Sequence, residues 1–190
     1  MRTFNILVAG VGGQGVLLTS RILAESALAA GFDVKQSEVH GMAQRGGSVV
    51  SQVRFGDRIY SPIAGEGECD LLIGFEPLET ARYVHLLKTG GVTVYNTRTV
   101  ASLTVSIGAE KYPDDIEGII ASRCADAHPF DGTELAVRAG DKRVLNLVLL
   151  GAAARFLPFD EGIVMSAIEK SVPPKLLDLN KLAFYSGKLI

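Results

Sequence analysis

Polar and apolar residues follow one another in blocks that predict strands and helices in turn. The short, largely apolar run over residues 4–9 is typical of a strand buried on both faces. Residues 15–30 then carry apolar side chains at helical spacing, and Gly31 marks the end of that helix. The following "FDVKQSE" predicts a second strand. A strand–helix–strand unit of this kind builds a parallel sheet with a right-handed crossover.

A different pattern begins at residue 49. Residues 49–55 alternate between two faces, as in a β-strand whose neighbouring side chains point to opposite sides. Gly56 and Asp57 follow as a turn, and residues 58–62 ("RIYSP") predict the returning arm. We therefore expect an antiparallel hairpin inserted in an otherwise parallel sheet.

The remainder of the chain continues the alternation and then becomes helical. "CDLLIGF" predicts a third core strand, and Pro77 opens a helix that we expect to reach Gly90. The strands "VTVYN" and "SLTVSI" and a helix over Asp114–Arg123 follow, and the pattern beyond Asp131 is helical. These elements predict an α/β fold, a three-layer α/β/α, Rossmann-like domain with a largely parallel sheet and a helical C-terminal third. We expect residues 1–190 to form a single domain.

Composition and charge exclude several classes of protein. The net charge is −2 and no basic run occurs, so neither nucleic acid nor a membrane surface is expected as a partner. No apolar span reaches the roughly 20 residues that cross a bilayer. The N-terminus lacks the features of a signal peptide, and we expect a soluble cytoplasmic protein. Two cysteines, Cys69 and Cys124, and three scattered histidines predict no iron–sulfur cluster and no metal site on this chain.

The segment "GVGGQGV" has the spacing G-x-G-x-x-G on Gly10, Gly12 and Gly15, with a predicted strand before it and a helix after it. Such a loop lets the backbone approach a ligand, and the helix N-terminus offers amides to an anion. Along the sequence, Glu38 follows Gly15 at close to the separation at which the acidic residue of a dinucleotide-binding fold binds the ribose. A stand-alone protein that binds NAD(P) or FAD is therefore one hypothesis. The alternative is a tight turn that packs against another loop or chain.

A second glycine-rich segment, "VHGMAQRGGS", follows the second predicted strand at residues 39–48. Arg45 can present a guanidinium to a carboxylate or phosphate, and His40 can carry a proton. A structured surface loop is the alternative for both. Glu76 and Glu79 can act as a pair of carboxylates in acid–base chemistry, although such residues more often stabilise a helix N-terminus. No complete catalytic constellation is evident, and we predict no catalytic residue.

Three stretches of the chain together resemble a known family. "GVGGQGV", "SEVHGMAQRGGSVVSQVRFG" and "CDLLIGFEPLETAR" are similar to the gamma-type module of 2-oxoacid:ferredoxin oxidoreductases. The string from Ser37 to Gly47 is most similar to the indolepyruvate branch, and "LNKLAF" at Leu179–Phe184 resembles the C-terminal end of that module. The similarity therefore extends over nearly the whole chain.

The resemblance implies a non-autonomous subunit of an enzyme that oxidatively decarboxylates arylpyruvates, forms acyl-coenzyme A and reduces ferredoxin. It implies that thiamine diphosphate and iron–sulfur clusters belong to a large catalytic partner subunit, with no cofactor bound by this chain alone. The two glycine-rich loops are then expected to face the active site of the partner or the path of coenzyme A. A scaffold whose loops only pack against the partner is the remaining alternative. The predicted binding residues are Gly10, Gly12, Gly13, Gln14, Gly15, Gln44, Arg45, Gly46 and Gly47.

Overall fold

The structure, a computed structural model, describes residues 3–40, 46–101, 103–109 and 111–190. Within these residues the chain forms six strands and eight α-helices. The strands are β1 (Phe4–Val11), β2 (Asp33–His40), β3 (Ser48–Gly56), β4 (Cys69–Gly74), β5 (Leu87–Asn96) and β6 (Asp126–Phe130). The helices are α1 (Val16–Ala29), α2 (Pro77–Tyr83), α3 (Leu103–Ser106), α4 (Ile116–Ala121), α5 (Gly132–Ala139), α6 (Leu145–Ala153), α7 (Glu161–Ser171) and α8 (Leu177–Lys188).

The strands form one mixed sheet in the order β2-β3-β1-β4-β5-β6. β1, β4, β5 and β6 are parallel to one another, whereas β3 runs antiparallel to both β1 and β2. Five strands consequently share one direction, and β3 alone is reversed. The glycine loop after β1 and the start of β3 therefore meet at the same edge of the sheet, where the parallel strands end.

Helices cover both faces of this sheet. Ile6 and Val8 of β1 pack into one hydrophobic cluster with residues of α1 and α5–α8. The intervening Leu7 and Ala9 pack into the other cluster with α2 and α4. All residues of α6 are buried, so this helix forms the centre of the thicker layer. The predicted three-layer α/β/α fold and the helical C-terminal third are confirmed.

The predicted hairpin of residues 49–55 with residues 58–62 is wrong, although residues 49–55 do lie in an antiparallel strand. Residues 57–68, all of them described, form no strand. The antiparallel pair consists of β2 and β3, and β3 pairs with β1 on its other side. β3 therefore lies inside the sheet, and its side chains are buried on both faces, with Val53 in one cluster and Val50 in the other. Arg54 holds the following loop by donating from Nη1 to the carbonyl oxygens of Ser61 and Ile63.

Three further details differ from the expectations. The predicted strand in "SLTVSI" is wrong, because Leu103–Ser106 is a short helix. The helix begun by Pro77 ends at Tyr83, since Leu87 already pairs with Cys69 in the sheet. β6 was not predicted: "DAHPF" carries Pro129, which lies at the edge of the sheet, where one side of a strand needs no partner.

Candidate functional site

The loop between β1 and α1 is shaped by two glycines in the left-handed region. Gly13 has φ +101° and Gly15 has φ +99°, values that residues with a side chain rarely adopt. Gly15 is the N-cap of α1 and has no side chain to bond the first helical amides. Those amides are therefore available to an anion, and they add to the positive end of the helix dipole.

Gly10 and Gln14 stabilise the loop, Gly10 through close packing and Gln14 through hydrogen bonds. A β-carbon at Gly10 would lie 2.7 Å from Cβ of Phe75, so only glycine fits there. Gln14 accepts a hydrogen bond from the Val11 amide at 2.7 Å and donates to the Phe75 carbonyl oxygen at 3.3 Å. The side-chain amide of Gln14 therefore braces the loop against the end of β4.

The structure brings the two glycine-rich segments together. The Gly12 amide donates to the Gly47 carbonyl oxygen at 2.8 Å, and the Gly46 amide lies 3.5 Å from the Gly12 carbonyl oxygen. This contact continues the β1–β3 ladder beyond its last pair, Val11 and Ser48. Gln44 and Arg45 lie outside the described residues, as does the side chain of His40.

A cavity of about 480 Å³ lies at this junction. Its lining combines glycine backbone with apolar side chains: Val11, Gly12, Gly13, Gly15, Val16, Leu17 and Val49. An anion at the amides of α1 would thus have an apolar wall beside it. A ligand that joins a charged group to an apolar arm suits this arrangement.

Glu38 does not occupy the position that dinucleotide binding requires. In the doubly wound nucleotide-binding fold, the second strand is adjacent to the first, and its terminal acid faces the glycine loop. Here β3 lies between β1 and β2, so Glu38 is two strands from β1, or about 10 Å. The order of the strands therefore contradicts a dinucleotide site built from the glycine loop and Glu38.

Glu76 and Glu79 are both buried, with 1% exposure each, at the end of β4. Glu76 caps α2 by accepting from the Glu79 amide at 3.1 Å, and its other oxygen accepts from the Tyr112 hydroxyl at 2.7 Å. Glu79 accepts from the Ser48 hydroxyl at 2.5 Å and pairs with Arg82 at 3.3 Å. These contacts favour the interpretation of Glu76 as a helix cap, and they place Glu79 directly against the first residue of β3.

Three further groups near the core, Cys69, Cys124 and Tyr112, have raised pKa values. Burial raises the pKa of the Cys69 thiol to about 12 and also raises the pKa of Cys124. Burial, aided by the hydrogen bond to Glu76, raises the pKa of Tyr112 to about 12, although a hydrogen bond with Thr99 opposes the shift. Among the described residues, His, Cys, Asp and Glu form no cluster able to hold a metal ion. None of the helices in the described part of the chain is long and apolar enough to span a membrane.

Sequence reasoning missed three residues at this edge. Ser48 binds Glu79; Asn96, at the end of β5, donates to the Phe75 carbonyl oxygen at 3.1 Å; and Asn146 contacts Gly15 from α6. The place of Asn96 at a strand's carboxyl end was a usable signal. Asn146 lies within an apolar helical run, and its proximity to Gly15 depends on tertiary packing that no local pattern records.

Comparisons with known proteins identify the relatives of this chain. The sequence profile of the family described as pyruvate ferredoxin/flavodoxin oxidoreductase matches residues 5–189. A Pyrococcus horikoshii protein named indolepyruvate oxidoreductase subunit IorB is 41% identical, over 98% of this chain and 95% of its own length.

Two solved structures share the fold. The gamma subunit of a keto/oxoacid ferredoxin oxidoreductase from Geobacter sulfurreducens has a TM-score of 0.72 and 26% identity, covering 97% of this chain and 95% of its own. A 2-oxoglutarate:ferredoxin oxidoreductase from Magnetococcus marinus has a TM-score of 0.77 and 22% identity, covering 100% of this chain and 31% of its own. That structure is described with 2-oxoglutarate, coenzyme A and succinyl-CoA bound.

Proposed function

This chain belongs to the pyruvate ferredoxin/flavodoxin oxidoreductase family, and from that premise we propose that it is the small subunit of an indolepyruvate:ferredoxin oxidoreductase. The likeness to indolepyruvate oxidoreductase subunits over nearly the full chain supports this branch of the family. The proposed complex decarboxylates arylpyruvates oxidatively, joins the acyl group to the thiol of coenzyme A and transfers the electrons to ferredoxin.

In the proposed complex, thiamine diphosphate and the iron–sulfur clusters belong to the larger partner subunit. A cluster held in the ordinary way needs four thiolates, and this chain has two cysteines, both buried and held protonated. Iron–sulfur ligation therefore does not fit the residues of this chain. Its part in the reaction is to bind and orient, and the partner supplies the redox groups.

The observation that carries the proposal is the backbone pairing of Gly12 with Gly47. It joins the two glycine-rich segments of the family resemblance into one surface, at the edge of the sheet where α/β proteins bind ligands. The loops after β1 and β4 are further tied there by Gln14. A preformed surface of this kind suits a subunit that completes the site of a partner.

We assign coenzyme A as the ligand of this surface. Its phosphates suit the amides at the N-terminus of α1, and its pantetheine arm suits the wall of Val16, Leu17 and Val49. The Magnetococcus marinus structure described with coenzyme A shares this fold, which is consistent with the assignment. Gln44 and Arg45 remain predicted members of the site on sequence grounds alone.

Coexpression with the large subunit tests the proposal, with copurification and coenzyme A calorimetry as readouts. We expect a stable complex whose affinity for coenzyme A falls at least tenfold in Gly13→Asp, because the new carboxylate repels a phosphate. Gly162→Asp, in α7 where a β-carbon meets no atom within 4 Å, is the matched control and should bind normally. A chain that does not copurify, and instead shows a melting shift with NAD, NADP or FAD, would contradict the proposal.

Arg45→Ala separates a contribution to the site from mere packing. If the loop contributes to the site, assembly stays intact while the kinetics with coenzyme A or arylpyruvate weaken. Unchanged assembly and turnover would exclude Arg45 from the site.

Two further expectations belong to the same proposal. The span of the family match, residues 5–189, supports one domain over residues 1–190. Location in the cytoplasm, and the absence of nucleic-acid and membrane partners, stay predictions of the sequence.

A further inference from the structure

The buried carboxylate of Glu76 fastens two points of the connection that follows β5. Its Oε1 accepts from the Val100 amide at 3.4 Å and from the Tyr112 hydroxyl at 2.7 Å. Between these two anchors lie α3 and the turn after it, and we call residues 103–109 the strap. Because the other oxygen of Glu76 caps α2, one carboxylate fixes both that helix and the base of the strap.

The strap presents an apolar side chain to its surroundings. After α3 the Gly108 amide donates to the Val105 carbonyl oxygen at 3.0 Å, and Gly108 has a φ of +74°, which favours glycine. Val105 packs against the cluster that includes residues of α2 and α4, whereas Ile107 is 68% exposed. An ordered turn therefore holds Ile107 outward.

The strap lies beside the glycine loop. Gln14 ties that loop to the carbonyl oxygen of Phe75, and the next residue, Glu76, holds the strap. The two features are thus anchored on consecutive residues of the turn between β4 and α2, at the edge where the parallel strands end. Whatever covers the glycine loop along this edge is placed to contact the strap as well.

The proposed reaction determines what covers this edge. Coenzyme A at the glycine loop receives an acyl group from the active site of the large subunit, and its thiol can form that bond only where the two sites meet. The large subunit must therefore approach the edge that carries both the glycine loop and the strap. An exposed isoleucine beside such a contact suits burial against an apolar surface of the partner.

We propose that the strap is a docking element for the large subunit, with Ile107 buried against an apolar surface of that subunit. Glu76 and Tyr112 are then positioning residues, because a strap that is fastened beforehand loses less conformational entropy on docking. This inference rests on the proposed function, which supplies the partner. A second copy of this chain is the other occupant that the experiment distinguishes.

The dissociation constant of the complex between the full chain and the purified large subunit tests the proposal. Ile107→Asp should raise it at least about tenfold, because docking would bury an unpaired carboxylate. Ile63→Asp is the matched control: Ile63 is 59% exposed in the loop that joins β3 to β4 at the opposite edge of the sheet. This control should bind within about twofold of the wild type.

Tyr112→Phe tests the fastening of the strap. It removes the hydroxyl that bonds Glu76 and keeps both the ring and the cap of α2. We expect the dissociation constant to rise roughly three- to tenfold in the wild-type background and to change little when Ile107 is already aspartate. A role in folding alone would instead lower the thermal midpoint of the free chain and leave the two effects on binding additive.

The possible outcomes separate the inference from the proposed function. Normal affinity of Ile107→Asp for the large subunit, or an equal loss of affinity in Ile63→Asp, would overturn the inference alone. If Ile107→Asp instead dissociates a dimer of this chain in sedimentation velocity and leaves the affinity for the large subunit unchanged, the strap binds a second copy. A wild-type chain that does not bind the large subunit would overturn the proposed function.

Discussion

Gln14 and Asn96 donate their side-chain amides to the same acceptor, the carbonyl oxygen of Phe75, at 3.3 Å and 3.1 Å. Gln14 belongs to the loop after β1, Phe75 follows β4, and Asn96 ends β5. Asn96 also accepts from the amide of Thr133 in the first turn of α5. One carbonyl group thus ties together the connections that follow three parallel strands, and it fixes the edge on which the proposed site is built.

This shared acceptor predicts energetic coupling between the two amides. Gln14→Ala and Asn96→Ala should each destabilise the chain by about 1–3 kcal/mol, because buried groups lose their partners. Their double mutant should depart from additivity by at least about 0.5 kcal/mol in urea unfolding. Asn180→Ala removes a side-chain amide of α8 that donates to the carbonyl oxygen of Leu176, the residue just before the helix. Its effect on the free energy of unfolding should add to that of Gln14→Ala without coupling. Strict additivity of Gln14→Ala with Asn96→Ala would contradict the shared anchor.

The glycines of the loop should differ in their tolerance of alanine. A β-carbon at Gly13 would meet no atom within 4 Å, so Gly13→Ala should lower the free energy of unfolding by about 1 kcal/mol for its positive φ alone. Gly10→Ala collides with Phe75, and Gly15→Ala combines positive φ with a collision against Asn146. Both should be more destabilising than Gly13→Ala in thermal unfolding.

Gly162→Ala provides the control for this series. It lies inside α7 with open space at its β-carbon, and alanine there should stabilise the chain by about 0.5–1 kcal/mol. Equal losses of thermal stability in the alanine variants of Gly10, Gly13 and Gly15 would show that the loop is not packed as described.

Most strands and helices followed from the sequence, because hydrophobic periodicity and glycine punctuation are local signals, but the strands expected at "RIYSP" and "SLTVSI" are absent and β6 was missed. The strand order did not, since the insertion of β3 beside β1 depends on burial of Val50 and Val53 on opposite faces. That same insertion moves Glu38 away from the glycine loop, so Glu38, one of the features that suggested a dinucleotide, was misleading. The contact between Asn146 and Gly15 joins residues far apart in the chain, and only packing reveals it.

The hydrogen bond from Ser48 to Glu79 predicts that the stability of the protein depends on this contact at the start of β3. Ser48→Ala removes the hydroxyl that donates to the buried carboxylate of Glu79 at 2.5 Å, while the ion pair of Glu79 with Arg82 remains. It should lower the free energy of unfolding by about 1–3 kcal/mol. Ser122→Ala removes an exposed hydroxyl that bonds Ile119 and should stay within about 0.5 kcal/mol of the wild type. Matching effects of the two substitutions would exclude an anchoring role for Ser48.

Stability should fall in alkaline solution because burial raises the pKa of Cys69 from 9.0 to about 12. Above pH 9 the unfolded thiol ionises while the folded thiol stays protonated, so the unfolded state binds fewer protons and gains in relative stability. The loss is absent below pH 9 and accumulates up to the folded pKa.

Urea unfolding between pH 8 and 10.5, a range of about two and a half units around the ordinary thiol pKa, measures this effect. Cys69→Ala should make the decline in the free energy of unfolding shallower by up to about 1.4 kcal/mol for each pH unit. Tyr112→Phe should change the curve only above the ordinary tyrosine pKa of 10.0. Parallel curves for the wild type and Cys69→Ala would contradict the raised pKa.

The central claim is that this chain completes an enzyme whose redox groups belong to a larger subunit. The most direct measurement is indolepyruvate- and coenzyme A-dependent reduction of ferredoxin by the purified large subunit, titrated with this chain. The account predicts a rate near background without the chain, which rises on addition and saturates at a fixed ratio of the two subunits. Full activity of the large subunit alone, unchanged by added chain, would contradict it.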